Sequence, residues 1–186
     1  MVKEYAKKSI AILLLLLSLL SVFSNVFAAV PISSALIKNG GDCGYHLQFW
    51  TGSSWNFVET TYVYYEEGGK QYPAYCLQSD LPGVGSEPEY SVSVDDIIDD
   101  VRIWRVAING YPYQSPESMG LENKYDAFVA TKQAIYRVLD GKDVNSFYNG
   151  ADSRGKAIKN AIEKLVDIGR NGTQTPVNTD VTTNKI

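Results

Sequence analysis

At Val94 the apolar pattern of this chain changes period, and that change constrains the fold more than any other feature. Before it, Cys43 to Trp50, Trp55 to Tyr65 and Gln71 to Leu77 are rich in Tyr, Phe, Trp, Val and Thr, side chains that suit a pleated, half-buried surface. Thr51-Gly52-Ser53-Ser54 and Glu67-Gly68-Gly69-Lys70 separate these runs as hairpin turns, and Tyr90 to Val94 reads as a fourth, short strand. After it, Ile97, Val101, Trp104 and Ile108 recur at helical spacing. Ser93 with Asp96 makes a capping box ahead of them, and Asn109-Gly110 a left-handed C-terminal cap behind. Ser115-Pro116-Glu117 reads as the start of a one-turn helix. A helix from Tyr125 to Leu139 ends at Asp140-Gly141. The last runs from about Ser153 to Ile168, with Ile158, Ala161, Ile162, Leu165 and Val166 inward. Strands first and helices second predict an α+β domain: antiparallel β-strands in the N-terminal half, then a small group of helices.

The two ends follow other rules. Lys3, Lys7 and Lys8 precede an apolar run from Ile10 to Leu17 that continues through Phe23, and Val26-Phe27-Ala28 offers small residues to a signal peptidase. Ser18, Ser21, Ser24 and Asn25 interrupt the run, which suits a cleaved secretory signal over residues 1–28 better than a spanning helix. From Asn171 the chain is polar and Thr-rich. The expected layout is therefore a signal peptide at 1–28, a domain at 29–170, and a tail or linker to a further module at 171–186. The expected product is secreted, monomeric, and free of any stable membrane partner once the signal is cut.

Few residues are available for chemistry. A net charge of −4 and a pI near 5.0 argue against a nucleic-acid partner, because phosphate attraction needs clustered Lys and Arg. One histidine and two cysteines leave little for a zinc site, and no cofactor is expected. Asp95, Asp96, Asp99 and Asp100 read as a solvated helix start, since the helix dipole tolerates acids there and the EF-hand spacing is absent. Outside the cytosol Cys43 and Cys76 would by default form a disulfide, worth roughly 3–4 kcal/mol. Cys76 with His46 would be the nucleophile–base pair of a cysteine peptidase or transglutaminase. A lone His in the aromatic run Gly44 to Trp50 is more often a packed or surface residue.

Two segments point elsewhere. Tyr72-Pro73-Ala74-Tyr75-Cys76-Leu77 precedes Asp80-Leu81-Pro82-Gly83, and a later helix reads Ala130-Thr131-Lys132-Gln133-Ala134-Ile135-Tyr136. With Ile103-Trp104-Arg105 and Asn109-Gly110-Tyr111-Pro112-Tyr113 between them, the pattern resembles the thioester domains of Gram-positive surface proteins over most of 40–170. The resemblance implies that a Cys at the strand motif condenses with a Gln on the helix, expelling ammonia and leaving an internal thioester. It further implies a cell-surface, single-turnover adhesin, not an enzyme, that captures a host-protein lysine as an amide. Cys76 would be the acylated thiol and Gln133 the acyl donor, with Tyr72, Tyr75 and Tyr136 as shields against water.

The chain departs from that pattern at one position. The family helix reads Thr-Gln-x-Ala-Ile-aromatic, and here Lys132 follows Thr131, with Gln133 one residue later. On a helix whose apolar face holds Phe128, Thr131, Ile135, Val138 and Leu139, Lys132 lies about 60° from Ile135 and Gln133 about 160° away. A regular helix is thus predicted to aim Gln133 at solvent and Lys132 near the buried seam. Three outcomes stay open: a bulge that turns Gln133 toward Cys76, another donor among Gln48, Gln71, Gln78, Gln114 and Gln174, or loss of the bond. In the last case Cys76 is free, paired with Cys43, or hydrogen-bonded to Lys132, and the domain is a non-covalent binder. Trp50, Trp55, Phe57 and Tyr62 to Tyr65 would then supply an aromatic platform, although core packing explains most such aromatics.

Overall fold

The computed structural model describes residues 34–80, 89–93 and 99–176. The chain divides into two compact units, Met1–Pro31 and Ile32–Ile186, and every described residue belongs to the second. The expected signal peptide, Asp96, Ile97, the Pro82-Gly83 turn and the chain beyond 176 lie outside the described residues.

The architecture is α+β, with two antiparallel sheets built mostly from the N-terminal half and helices after them. Strands β1 (Ser34–Asp42), β4 (Thr61–Glu67), β5 (Lys70–Pro73) and β6 (Glu89–Ser93) form one sheet in the order β5-β4-β1-β6. Strands β2 (Leu47–Trp50), β3 (Trp55–Phe57) and β7 (Tyr148–Gly150) form the other, in the order β3-β2-β7. Both predicted hairpin turns are present: 51–54 joins β2 to β3, and Gly68 and Gly69, at φ 56° and 76°, turn β4 into β5. Strand β1 is not among the strands read from the sequence, and it includes Asn39-Gly40-Gly41. In the fold those residues are a bulge within the strand, the register against β4 slipping between Asn39 and Asp42 with Gly41 at φ 93°.

The helices are α1 (Val101–Asn109), α2 (Lys124–Asp140), the single turn α3 (Val144–Phe147) and α4 (Ser153–Asn171). Helix α1 begins later than predicted: the Asp100 side chain accepts from the Arg102 N–H at 2.9 Å as N-cap, and Ser93 belongs to β6. The residues it buries are Ile103 and Val106, offset from the expected stripe of Val101, Trp104 and Ile108, which are half-buried. Gly110 caps it with φ −109°, not in the left-handed region. Residues 115–121 form the expected helical turn, with Met119 N–H donating to the Ser115 carbonyl. Helix α4 buries all five predicted residues.

Helix α2 lies at the centre. Asn123 caps it by accepting from the N–H groups of Tyr125 and Asp126, and from Asp126 to Val138 every residue except Lys132 is buried. Such a helix has no solvent face over those turns. Phe128 packs edge-on against Tyr62 of β4 at 5.0 Å and stacks on Tyr75 at 4.9 Å. On the other side α2 packs against α1 and α4. Burying Phe128, Ile135 and Ile162 completely contributes on the order of 1.5–3 kcal/mol each.

Candidate functional site

Cys76 follows β5, in an extended segment pinned by its neighbours. The Ala74 N–H donates to the Val63 carbonyl at 2.9 Å, continuing the β4 pairing past Pro73. Tyr75 turns inward, stacks on Phe128 and donates its hydroxyl to the Tyr111 carbonyl at 2.6 Å. Its neighbour Cys76 therefore stands half-buried at the rim, its thiol 3.4 Å from the Gln78 carbonyl.

Thr131 secures the other wall. Its hydroxyl donates to the Ala127 carbonyl at 2.8 Å and accepts from the Tyr111 N–H at 3.0 Å, tying the 110–113 turn to α2. Gly110 permits that approach, since a Cβ there would lie 2.6 Å from the Thr131 Oγ1. The two segments singled out in the sequence, 72–77 and 130–136, thus meet through Tyr75, Tyr111, Phe128 and Thr131.

Lys132 and Tyr136, one helical turn apart, carry α2 toward Cys76. The Lys132 ammonium lies 5.9 Å from the Tyr136 ring centroid. Burial pushes the Lys132 amine below its ordinary value, and the charges of the Cys76 and Cys43 thiolates oppose that shift. Burial raises the Tyr136 phenol well above its usual range, with a Cys76 thiolate and a hydrogen bond to it adding to the effect. Burial pushes the Cys43 thiol up to about 12, opposed by Lys132. Both cysteines have free thiols, so the disulfide reading is corrected. An amine beside a thiol can share a proton with it, but a thioester needs an acyl carbon, which Lys132 does not have.

Gln133 is not at the surface, as the single-face helix reading predicted. It is 6% exposed, and its Oε1 accepts from the Tyr148 hydroxyl at 2.5 Å. Leu139, placed on the apolar face, is 38% exposed. Gln133 is buried because α2 is covered on all sides between Asp126 and Val138, and Leu139 is exposed because that cover ends at Val138. Tyr148 and the buried Arg137, whose guanidinium lies 3.9 Å from the Phe147 ring centroid, complete this polar seam. Neither was singled out in the sequence, where no local pattern marks them.

Among the other candidates, Gln78 touches the Cys76 thiol through its backbone carbonyl, and His46 and four further glutamines have partners away from Cys76. His46 Nδ1 pairs with the Asp152 carboxylate at 2.7 Å, at the start of α4, so the structure pairs it with an acid and not with Cys76. Gln48 accepts from Asn149, Gln71 donates to Glu66, Gln114 donates to the Ile108 carbonyl, and Gln174 accepts from Asn109. Tyr62 is core, whereas Trp50, Trp55 and Phe57 are exposed.

Comparison with known proteins places this geometry in context. The thioester domain (TED) family model matches residues 73–171, more than half of the chain. Among solved structures, the thioester domain of the Enterococcus faecium TIE86 protein superposes with a TM-score of 0.61 at 22% identity, over 78% of this chain and 53% of that one. The Bacillus anthracis TIE protein superposes with a TM-score of 0.59 at 18% identity, over 77% of this chain and 25% of that one. This chain thus spans about half of the first and a quarter of the second, and at these identities the likeness is one of fold. No curated protein matches at the same stringency.

Proposed function

Starting from a chain that belongs to the thioester domain family, we propose that it is a surface-attachment module of a Gram-positive cell in which the internal thioester has been lost. One observation carries this reading: Lys132 directly follows Thr131 where the family pattern puts the acyl-donating Gln, while Gln133 is held by a buried hydrogen bond from the Tyr148 hydroxyl. Forming the bond to Gln133 would require breaking that buried hydrogen bond and rotating α2 against the elements packed around it. A buried acceptor left without its partner costs about 1–3 kcal/mol, before any cost of repacking.

In this reading Cys76 keeps its thiol, Lys132 occupies the helix position of the acyl donor, and Gln133 is a structural residue. The module acts by binding rather than by turnover. Residues 1–28 direct its export, 29–170 form the adhesive domain, and 171–186 are a polar tail or a linker to a further module. Its partner is a host-surface or matrix molecule held without a covalent bond.

The intact mass of the purified protein is the test. The expected mass is the sum of the residues remaining after signal cleavage, unchanged by methylamine. A mass lower by about 17 Da, the ammonia that acylation of a thiol by an amide expels, followed by methylamine addition that Cys76→Ala abolishes, would restore covalent lysine capture.

A further inference from the structure

A second surface has no part in the Cys76 site. Strands β3, β2 and β7 turn one face to the core through Leu47 and through Phe49, which packs near Phe147. The opposite face carries Gln48, Trp50, Trp55 and Phe57, because Gln48 pairs with Phe57 and Trp50 with Trp55 across the ladder. Trp50, Trp55 and Phe57 are 37%, 40% and 44% exposed, and Tyr45, edge-on to Phe57, is 51% exposed. Outside this face Tyr62, Phe128 and Tyr148 are buried, and Tyr113 is exposed at 61% without another exposed ring beside it in sequence. A cluster of aromatics left in water marks a binding surface more often than it marks packing.

The chemistry of the face selects its ligand. None of the strand residues 47–50, 55–57 and 148–150 is charged, although charged residues make up 20% of the chain. The polar groups present are side-chain amides and the hydroxyls of the 51–54 turn. Asn149 donates one amide hydrogen to the Gln48 Oε1 at 3.2 Å, which leaves the Gln48 NH₂ and the Asn149 carbonyl to bond a ligand. At the Tyr45 end stand Asp42 and Glu59: a hydrogen bond to the Asp42 carboxylate, and then the charges of Asp42 and Glu59, raise the Tyr45 phenol. These carboxylates repel anions. Aromatic rings flanked by amides, without cations and with an acidic rim, complement a neutral hydroxyl-rich ligand whose C–H faces stack on rings.

We propose that this sheet face binds a neutral saccharide chain, with Trp50 and Trp55 as the stacking pair and Gln48 and Asn149 as the hydrogen-bonding pair. The site is independent of Cys76, so it stands or falls separately from the reading of the thiol site.

The test titrates cellohexaose, maltohexaose and N-acetylchitohexaose into the full chain, following tryptophan emission and calorimetric heat. At least one is expected to bind saturably, Trp55→Ala to weaken it by about tenfold, as loss of a ring contact predicts, and Cys76→Ala to leave it unchanged. In the unmutated protein the bound saccharide should slow N-bromosuccinimide oxidation of Trp50 and Trp55 but not of Trp104, as read by peptide mass mapping. The proposal is overturned if none of the three binds at millimolar concentration, or if binding survives both Trp50→Ala and Trp55→Ala. Self-association that those variants abolish would overturn it too, by assigning the face to a second copy of the chain.

Discussion

Lys132 is the half-buried exception on the otherwise buried stretch of α2, and it occupies the position after Thr131 where the family motif places the acyl donor. Lys132→Gln would put an amide carbon where the ammonium now sits. The expected outcome is a purified variant lighter than its sequence by about 17 Da, the ammonia released on thiol acylation, while the wild type keeps its full mass. An unchanged variant mass would mean that the Cys76 surroundings no longer support acyl transfer. The two thiols should also separate by reactivity. Cys43 is buried with its pKa pushed up to about 12, so near its ordinary value of 9.0 it stays protonated while the rim thiol Cys76 remains reachable. Iodoacetamide at that pH should label Cys76 alone, and both cysteines after unfolding in guanidinium. The stability consequence has a definite sign. The folded chain holds the Cys43 proton more tightly than the unfolded chain does. That contribution is therefore intact below pH 9.0 and is lost as pH rises toward about 12.

Among the elements, those set by short-range pattern were legible and those set by partners were not. The β2–β3 and β4–β5 hairpins carry their own turn residues, and α4 has one apolar stripe facing α1 and α2, so each could be read from local sequence. Strand β1 contains a Gly pair, and only pairing with β4 and β6 on its two edges makes it a strand. Strand β7 and helix α3 are too short to have a period at all. The docking of α4 onto β2 depends on Gly155: a Cβ there would lie 1.8 Å from the His46 carbonyl oxygen. Gly155→Ala should therefore destabilise the protein by about 3 kcal/mol, since backbone atoms cannot rotate aside and overpacking displaces the element. Urea denaturation would measure this. A loss no larger than the few tenths of a kcal/mol expected of an exposed helical substitution would show that α4 is not seated against β2.

Across the whole molecule, α2 is held to α4 by a buried charge. The Asp126 carboxylate, 1% exposed, accepts two hydrogen bonds from Arg154 at 2.8 and 3.1 Å, and Arg154 is itself 28% exposed. The pair is asymmetric. Arg154→Met strands a carboxylate in the core and should cost about 3–5 kcal/mol, whereas Asp126→Asn leaves a guanidinium that water and Glu122 can still satisfy, at about 1 kcal/mol. Equal losses in denaturant midpoint would refute that asymmetry. By itself the sequence determined the change from strands to helices, the two hairpin turns and the inward stripe of α4, because each is written in residues close together along the chain, whereas the encounter of the Cys76 segment with the Thr131 helix was implied only by the family resemblance. Only tertiary structure decided which way Gln133 points, that Cys43 and Cys76 stay apart as free thiols, that His46 belongs to Asp152, and that Trp50, Trp55 and Phe57 face water. Helical periodicity assigns an inside when a helix has one solvent face. Helix α2 has none between Asp126 and Val138, so the direction of each side chain there is fixed by what packs against it.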